Sequence, residues 1–218
     1  LYGCEYLGTI QCVMVNVYRL TYFYVRNRAG MFNIGRLQIV LALLISMSSL
    51  KAQIYYPKFD VQGHRGARGL MPENTIPAFM YAIDAGVSTL EMDLAITNDG
   101  QIVVSHEGWM SAEISLDSLG KSIKEKDEKK HNIYKMSYKD IAKYDVGSKE
   151  NERFPRQQKM KVSKPLLKDV IFAVEDYIKG HGLYEVDYNI EIKSEKEGDG
   201  KFHPKPGEFS DIVFDLSD

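Results

Sequence analysis

Glu91 and Asp93 are separated by one residue in the segment TLEMDLAI, whose alternation of apolar and polar residues is typical of a β-strand. Because successive side chains of a strand point to opposite faces, both carboxylates share one face. The segment NIEIK repeats the pattern, with Glu191 and Lys193 on one face. Three carboxylates from two strands suit a hard cation such as Mg²⁺ or Ca²⁺, which takes oxygen ligands. The alternative is a charged strand face that is exposed to water.

Two histidines, His64 and His106, each lie where a predicted strand ends. Histidine exchanges a proton near neutral pH, so a pair beside a carboxylate cluster could act as general acid and general base. A structural role is the alternative for each of them. The other three histidines, His131, His181 and His203, lie in polar or glycine-rich stretches, and we expect them at the surface.

The elements that must position these residues follow the order strand, helix, strand, strand, insertion, helix, strand. Strands are predicted near Phe59, Leu90, Ile102 and Ile190, and helices at 75–86, at 166–178 and after Pro206. This order predicts an α/β chain with a mostly parallel sheet. The insertion, about 108–160, is polar, and its mixed-charge run KSIKEKDEKK (121–130) is predicted to be solvated surface.

Composition and charge limit the function further. Of the 218 residues, 44% are hydrophobic and 27% are charged. This length and this apolar fraction are enough for one domain with a core. Residues 1–52 hold five of the 28 basic residues and one of the 30 acidic ones, so the remainder carries 23 minus 29, or −6. This balance argues against nucleic acid as a partner. Both cysteines, Cys4 and Cys12, lie near the start, so the rest has no disulfide framework and no thiolate metal site.

The segment 31–52 has the features of a signal peptide. Arg36 supplies a positive charge, the 14 apolar-rich residues Leu37 to Leu50 follow, and Ala52 is a small residue for cleavage. Because a membrane-spanning helix needs about 20 apolar residues, we expect cleavage and export to the periplasm or the exterior. An uncleaved anchor and a buried helix are the alternatives. Residues 1–30 are predicted to be an upstream segment without function.

Four motifs in a fixed order, HRGARGLMPENT, EMDLAITNDG, VVSHE and IEIK, resemble the glycerophosphodiester phosphodiesterase family. The resemblance covers roughly Phe59 to Lys193, and the connecting pieces MSYKDIAKYDVG and KPLLKDVI are also similar to family sequence. It implies a (β/α)₈ TIM barrel with its site at the C-terminal ends of the strands. Glu107 departs from the pattern, because the family more often has aspartate after the histidine.

The resemblance also implies the reaction, which releases sn-glycerol 3-phosphate and an alcohol such as choline or ethanolamine. The attacking oxygen would be the glycerol 2-hydroxyl or water. Glu73 and Asn74 would brace the loop that carries the first motif, with Asn74 near the site. The family pattern assigns roles to eight residues: His64 and His106 as the acid/base pair, Glu91, Asp93 and Glu191 as ligands of a divalent metal (Mg²⁺ or Ca²⁺), and Arg65, Lys193 and Asn74 as substrate-binding residues.

Two other functions stay open: a metal-dependent phospholipid phosphodiesterase on the same barrel, and a catalytically inactive fragment or binding protein. Four strands are predicted where a barrel has eight, and residues 53–218 number 166 where a barrel takes about 250. We therefore expect only the N-terminal half of a barrel, as part of a longer protein. The expected partner is a small-molecule glycerophosphodiester. Membrane contact is expected only through an uncleaved signal segment, and the oligomeric state is open.

Overall fold

The computed structural model describes residues 11–14 and 59–215. The strands are β1 (Gln11–Met14), β2 (Gln62–Gly63), β3 (Thr89–Ile96), β4 (Ile102–Val104) and β5 (Asp187–Ile192). The α-helices are α1 (Ile76–Asp84), α2 (Tyr138–Ile141), α3 (Leu167–His181) and α4 (Pro206–Phe214). Short 3₁₀-helices span Glu125–Lys130, Ile133–Lys135 and Lys196–Gly198. The predicted signal segment and most of residues 1–30 lie outside the described residues.

The strands form one sheet in the order β1-β5-β3-β2, and β4 pairs with β3. β2 and β5 both run parallel to β3. The connections that contain α1 and α3 are longer than the dozen residues that a crossover between parallel strands needs. This confirms the predicted α/β architecture with parallel pairing at the site. β1 pairs with β5 in antiparallel orientation.

The expectation of four barrel strands is wrong, because β4 runs antiparallel to β3 as the second arm of a hairpin. The five residues 97–101 connect the two strands. A parallel pairing needs a crossover of a dozen or more residues, so this connection permits only the antiparallel arrangement. The described residues therefore contain three mutually parallel strands, β2, β3 and β5.

Helix boundaries follow the sequence signals. α1 begins after Thr75, which is the N-cap residue, and Pro77 occupies its first turn, where a missing backbone N–H has no cost. α3 ends at His181, and its C-cap residue Gly182 has a φ of 61°, in the left-handed region that glycine adopts most easily. Both helices present a buried apolar face to the sheet.

The main core lies between one face of the sheet and the helices α1, α3 and α4. Its fully buried members include Leu90, Met92 and Leu94 of β3, Phe79 of α1 and Phe209 of α4. Since these β3 residues occupy the helix-facing side, the alternate residues Glu91 and Asp93 face the opposite side of the sheet. The core thus fixes the direction in which the carboxylates point.

A second apolar cluster lies largely within the predicted insertion and includes Met110, Ile133 and Ile141. The mixed-charge run 121–130 is mostly exposed, as predicted, although Ile123 is buried. The expectation that His203 lies at the surface is wrong, because the residue is buried. Its ring packs against Gly198, and ring Nε2 accepts a hydrogen bond from the Glu195 N–H. In the stretches 11–14 and 59–215, no helix is both long and apolar enough to cross a membrane.

Candidate active site

Three buried carboxylates meet on one face of the sheet. Glu91 and Asp93 lie on β3 and Glu191 lies on β5, where the parallel register pairs Asp93 directly with Glu191. One ligand oxygen from each residue lies within 4.8 Å of the others. The alternation of two neighbouring strands therefore brings together the three residues that the sequence predicted as metal ligands.

Hydrogen bonds from the loop that follows β2 orient the two carboxylates of β3. The Arg65 backbone N–H donates to Glu91 Oε2 at 2.6 Å, and Asn74 Nδ2 donates to Asp93 Oδ2 at 2.9 Å. Glu73, as expected, braces this loop, because its Oε1 accepts from Arg65 Nη1 at 2.8 Å. Asn74 is itself buried, so its hydrogen bond to the Asp93 carboxylate is shielded from water.

Two cationic side chains face the carboxylates. Lys193 Nζ lies 2.8 Å from Glu191 Oε1 and 3.3 Å from Asp93 Oδ1, while Arg65 Nε lies 3.4 Å from Asp93 Oδ2. Asp93 Oδ1 and Glu191 Oε1 are both buried, so the Lys193 ammonium compensates negative charge that is shielded from water.

The donor set fits a hard divalent cation. Buried carboxylate oxygens carry negative charge away from water, which costs free energy unless a positive charge compensates for it. Mg²⁺ and Ca²⁺ both take oxygen ligands of this kind. A cation held there would take one oxygen from each of Glu91, Asp93 and Glu191.

The loop between β2 and α1 has an uncommon backbone. Arg65 and Asn74 have φ values of 52° and 56°, in the left-handed region that residues with a Cβ avoid. The Asn74 N–H donates to the Arg65 carbonyl oxygen at 3.0 Å, which ties the two ends of the loop together. Local strain of this kind persists where surrounding contacts enforce it, and here it aims both side chains at Asp93.

The two predicted histidines reach the cluster from different directions. His64 follows β2, and its Nε2 lies 4.0 Å from Glu91 Oε2. His106 follows β4, and the Ser105 N–H donates to the Asp93 carbonyl oxygen at 2.8 Å, which sets His106 beside β3. Both histidines follow a strand, as predicted, but the two strands differ in direction, because β2 runs parallel to β3 and β4 runs antiparallel to it. It is the antiparallel return of β4 that carries His106 back to the level of Asp93.

Electrostatics differ from group to group within the site. Burial, and next the negative charge of Asp93, raise the pKa of Glu91 to about 7. Burial also acts to raise the pKa of Asp93, but the hydrogen bond from Asn74 and the nearby positive charges hold it below its usual range. Burial lowers the pKa of His64, and the charges of Arg65 and Arg68 lower it further. The neutral ring of His64 is therefore favoured.

A model of the glycerophosphoryl diester phosphodiesterase family matches residues 64–202, which is more than half of the chain. The chain belongs to this family. The matched range contains His64, the three carboxylates, His106 and Lys193, so the family match and the geometry concern the same residues.

Individual relatives support the family assignment. The glycerophosphodiester phosphodiesterase of Caldanaerobacter subterraneus is 29% identical over 134 residues, covering 62% of this chain and 45% of the relative. That of Bacillus subtilis is 31% identical over 134 residues, covering 60% and 39%. The solved structure of a Silicibacter pomeroyi protein, assigned as a glycerophosphoryl diester phosphodiesterase, is 31% identical with a TM-score of 0.58, covering 71% and 51%. The chain spans about half the length of the relatives it matches, or less.

The predicted TIM-barrel fold is confirmed, and the chain contains part of the barrel of the glycerophosphoryl diester phosphodiesterase family. All eight predicted site residues lie around β3 and β5. Glu91, Asp93 and Glu191 form the cluster, with Arg65, Asn74 and Lys193 in direct contact and His64 and His106 at its edges.

Sequence reasoning missed a buried cation, Lys164, and a partly buried carboxylate, Glu107, beside this family site. Lys164 is 3% exposed, and burial lowers its pKa while the negative charges of Glu107, Glu73 and Asp93 oppose that shift. Glu107 was noted only as a departure from the family pattern. The available signal for Lys164 was a charge at the start of the apolar run before α3, in the segment KPLL.

Proposed function

We propose that this protein hydrolyses glycerophosphodiesters to sn-glycerol 3-phosphate and an alcohol, in a reaction that depends on a divalent cation. The observation that carries the proposal is a cluster of three buried carboxylates flanked by two histidines and two cationic side chains. Membership in the glycerophosphoryl diester phosphodiesterase family supports the substrate class. Mg²⁺ and Ca²⁺ both suit the oxygen ligands.

A phosphodiester repels nucleophiles because it carries a negative charge. A cation bound by Glu91, Asp93 and Glu191 would supply Lewis-acid stabilisation of that charge. Arg65 and Lys193 already lie against the same carboxylates, so their positive charges are placed to offset charge on the phosphate oxygens and in the transition state.

The two histidines divide the proton transfers. One ring takes the proton of the attacking oxygen, which is the glycerol 2-hydroxyl or water, and the other gives a proton to the departing alcohol. Imidazole can both accept and donate a proton, and each ring lies at the edge of the carboxylate cluster. Asn74 and the Arg65 backbone N–H hold the carboxylates of Asp93 and Glu91 in place during these steps.

The decisive experiment measures hydrolysis of glycerophosphocholine by the purified full-length protein in chelator and after addition of Mg²⁺ or Ca²⁺. We expect chelator to abolish the activity and the cation to restore it. A parallel assay with lysophosphatidylcholine distinguishes the alternative function as a phospholipid phosphodiesterase. Undiminished hydrolysis in excess chelator would remove the cation from the proposal.

Histidine variants test the acid/base assignment. His64→Ala and His106→Ala should each lower turnover on the order of 10²–10⁴-fold, and the losses should not multiply in the double variant. His181→Ala is the matched control, because His181 is exposed at the end of α3. A rate within about a factor of two of the unmodified enzyme for either site variant would make that histidine structural.

We also propose that the protein is exported and that the segment 31–52 is removed on the way. The charge of Arg36 and the short apolar run that follows support this proposal. N-terminal sequencing of the exported protein should find a mature chain that begins near Gln53. A mature chain that retains the apolar run would instead indicate a membrane-anchored form.

A further inference from the structure

His106 is hydrogen-bonded to the residue that follows it in the chain. Its ring Nδ1 lies 2.6 Å from Glu107 Oε1, and both side chains are about three-quarters buried. An ionised carboxylate has no proton to donate, so Nδ1 must carry the hydrogen of this bond. In the neutral ring, Nε2 is then the nitrogen with a free lone pair.

The backbone that carries this pair is held firmly. The buried Ser105 donates its N–H to the Asp93 carbonyl oxygen at 2.8 Å and its Oγ–H to the Glu107 carbonyl oxygen at 2.6 Å. These two bonds set residues 105–107 in a fixed position next to β3. Within that position, the hydrogen bond between Nδ1 and Glu107 Oε1 orients the His106 ring.

The surroundings keep Glu107 ionised. Burial acts to raise its pKa, but the hydrogen bond with His106 and the charges of Lys164 and Arg65 lower it to about 2. Backbone pairing brings the segment that contains Lys164 next to β4, because the Val104 N–H donates to the Pro165 carbonyl oxygen at 2.9 Å. The antiparallel bridge between Val103 and Leu166 has the same register and sets Lys164 opposite Ser105.

We propose that Glu107 is a positioning residue for His106, with Lys164 as its buried counter-charge. Glu107 holds the ring in the tautomer with a proton on Nδ1, so Nε2 is the nitrogen that exchanges a proton with the substrate oxygen. Glu107 remains charged throughout and takes up no proton itself. The effect on turnover rests on the proposed hydrolase function, whereas the tautomer of His106 does not.

Kinetics of three variants test the positioning role. Glu107→Gln should lower kcat on the order of 10–100-fold, as loss of a supporting carboxylate behind a functional histidine does elsewhere. KM should stay within about threefold, because Glu107 does not bind substrate. Glu107→Asp should recover most of the loss, since it restores an accepting carboxylate. Glu150→Gln, in an exposed loop, is the matched control.

The counter-charge is tested by Lys164→Met, with the exposed Lys161→Met from the same segment as control. If Lys164 acts through Glu107, the double variant with Glu107→Gln should be no slower than the slower single variant, within about threefold. Losses that multiply would overturn the role of Lys164 as counter-charge.

A spectroscopic measurement is independent of activity. In protein labelled with ¹⁵N-histidine, and with His106→Asn used to assign the signals, the neutral His106 ring should show a protonated Nδ1 and a bare Nε2. In Glu107→Gln, which donates as well as accepts, that preference should be lost. An unchanged tautomer together with a kcat within about twofold of the unmodified enzyme would overturn the proposal. A protein that does not hydrolyse glycerophosphodiesters but shows the expected tautomer change would overturn the proposed function alone.

Discussion

At the scale of single residues, Glu91 and Asp93 share a face of β3 yet have pKa shifts in opposite directions. Asp93 accepts a hydrogen bond from Asn74 and lies near Lys193 and Arg65, so its charged form is compensated. Glu91 accepts one hydrogen bond, from a backbone N–H. Burial and the negative charge of Asp93 raise the pKa of Glu91 to about 7. Without a cation, the cluster therefore holds one carboxylate that gains charge only near neutral pH.

This difference predicts a pH dependence of stability in chelator. The pKa of Glu91 is 4.5 in the unfolded reference and about 7 in the folded protein. Between those values the unfolded chain releases the proton and the folded protein keeps it, so stability falls as pH rises. The loss relative to Glu91→Gln should approach about 3 kcal/mol by pH 8, measured as the free energy of urea unfolding at a series of pH values.

Glu91→Gln should keep the fold of the unmodified protein, because the side-chain carbonyl oxygen of Gln can still accept the hydrogen bond from the Arg65 N–H. Mg²⁺ or Ca²⁺ should cancel the decline at high pH in the unmodified protein and have little effect in the variant. Equal pH profiles for the two proteins in chelator would show that Glu91 is not the titrating group.

The sequence identified residues whose position depends on strand alternation and missed those that depend on tertiary packing. Glu91 and Asp93 could be predicted to share a face, because period-two alternation is a local property, and the same alternation in NIEIK marked Glu191. The α/β order of elements then supplied the expectation that the two strands lie in one mostly parallel sheet. Lys164 could not, because its neighbours Glu107, Glu73 and Asp93 come from other segments of the chain. Burial of a lysine is visible only after the segments have packed.

At the scale of elements, the turn after β2 depends on a close approach of backbone to α1. A Cβ built on Gly66 would lie 2.7 Å from the Ala78 carbonyl carbon, and Gly66 has a φ of 76°. Gly66→Ala should therefore lower the free energy of unfolding by about 2–4 kcal/mol. Gly69→Ala is the matched control, with no atom within 4 Å of the added Cβ and an expected change of about 0.5 kcal/mol. Equal stability of the two variants would contradict the close contact.

The predicted insertion also reaches back to support this loop. Gln157 Nε2 donates to the carbonyl oxygens of Arg68 and Met71, at 2.7 Å and 2.9 Å. Gln157→Ala should lower the free energy of unfolding by about 1–2 kcal/mol and speed amide hydrogen exchange in residues 66–71. Gln158→Ala should change neither, because Gln158 contacts Leu70 only through its backbone N–H, at 2.8 Å. Identical exchange in both variants would show that the insertion does not hold the loop.

The hairpin of β3 and β4 shows where element prediction failed and how the sequence could have corrected it. The apolar pattern locates both strands but does not give their relative direction, which depends on the short NDG connection at 98–100. A connection of this length permits only antiparallel pairing. The orientation matters for function, because it returns His106 to the level of Asp93.

At the scale of the whole molecule, the described residues form three parallel strands of a barrel that has eight in this family. The outer edge of β5 pairs with the antiparallel β1, which lies in the predicted upstream segment. In a complete barrel another parallel strand would occupy that edge. The chain covers 39–51% of the length of the three relatives described above.

The last prediction concerns residues 53–218 expressed alone. This piece lacks β1, so the edge of β5 would present unpaired N–H and C=O groups to other molecules, and the sheet face that a complete barrel encloses would be open. We therefore expect aggregation or a low unfolding temperature, and little hydrolysis although this piece carries all eight predicted site residues. Light scattering, thermal unfolding and the glycerophosphocholine assay would measure these properties, with the full-length protein as control. A soluble monomer of residues 53–218 that unfolds cooperatively and hydrolyses the substrate only with added metal would show that three parallel strands are sufficient.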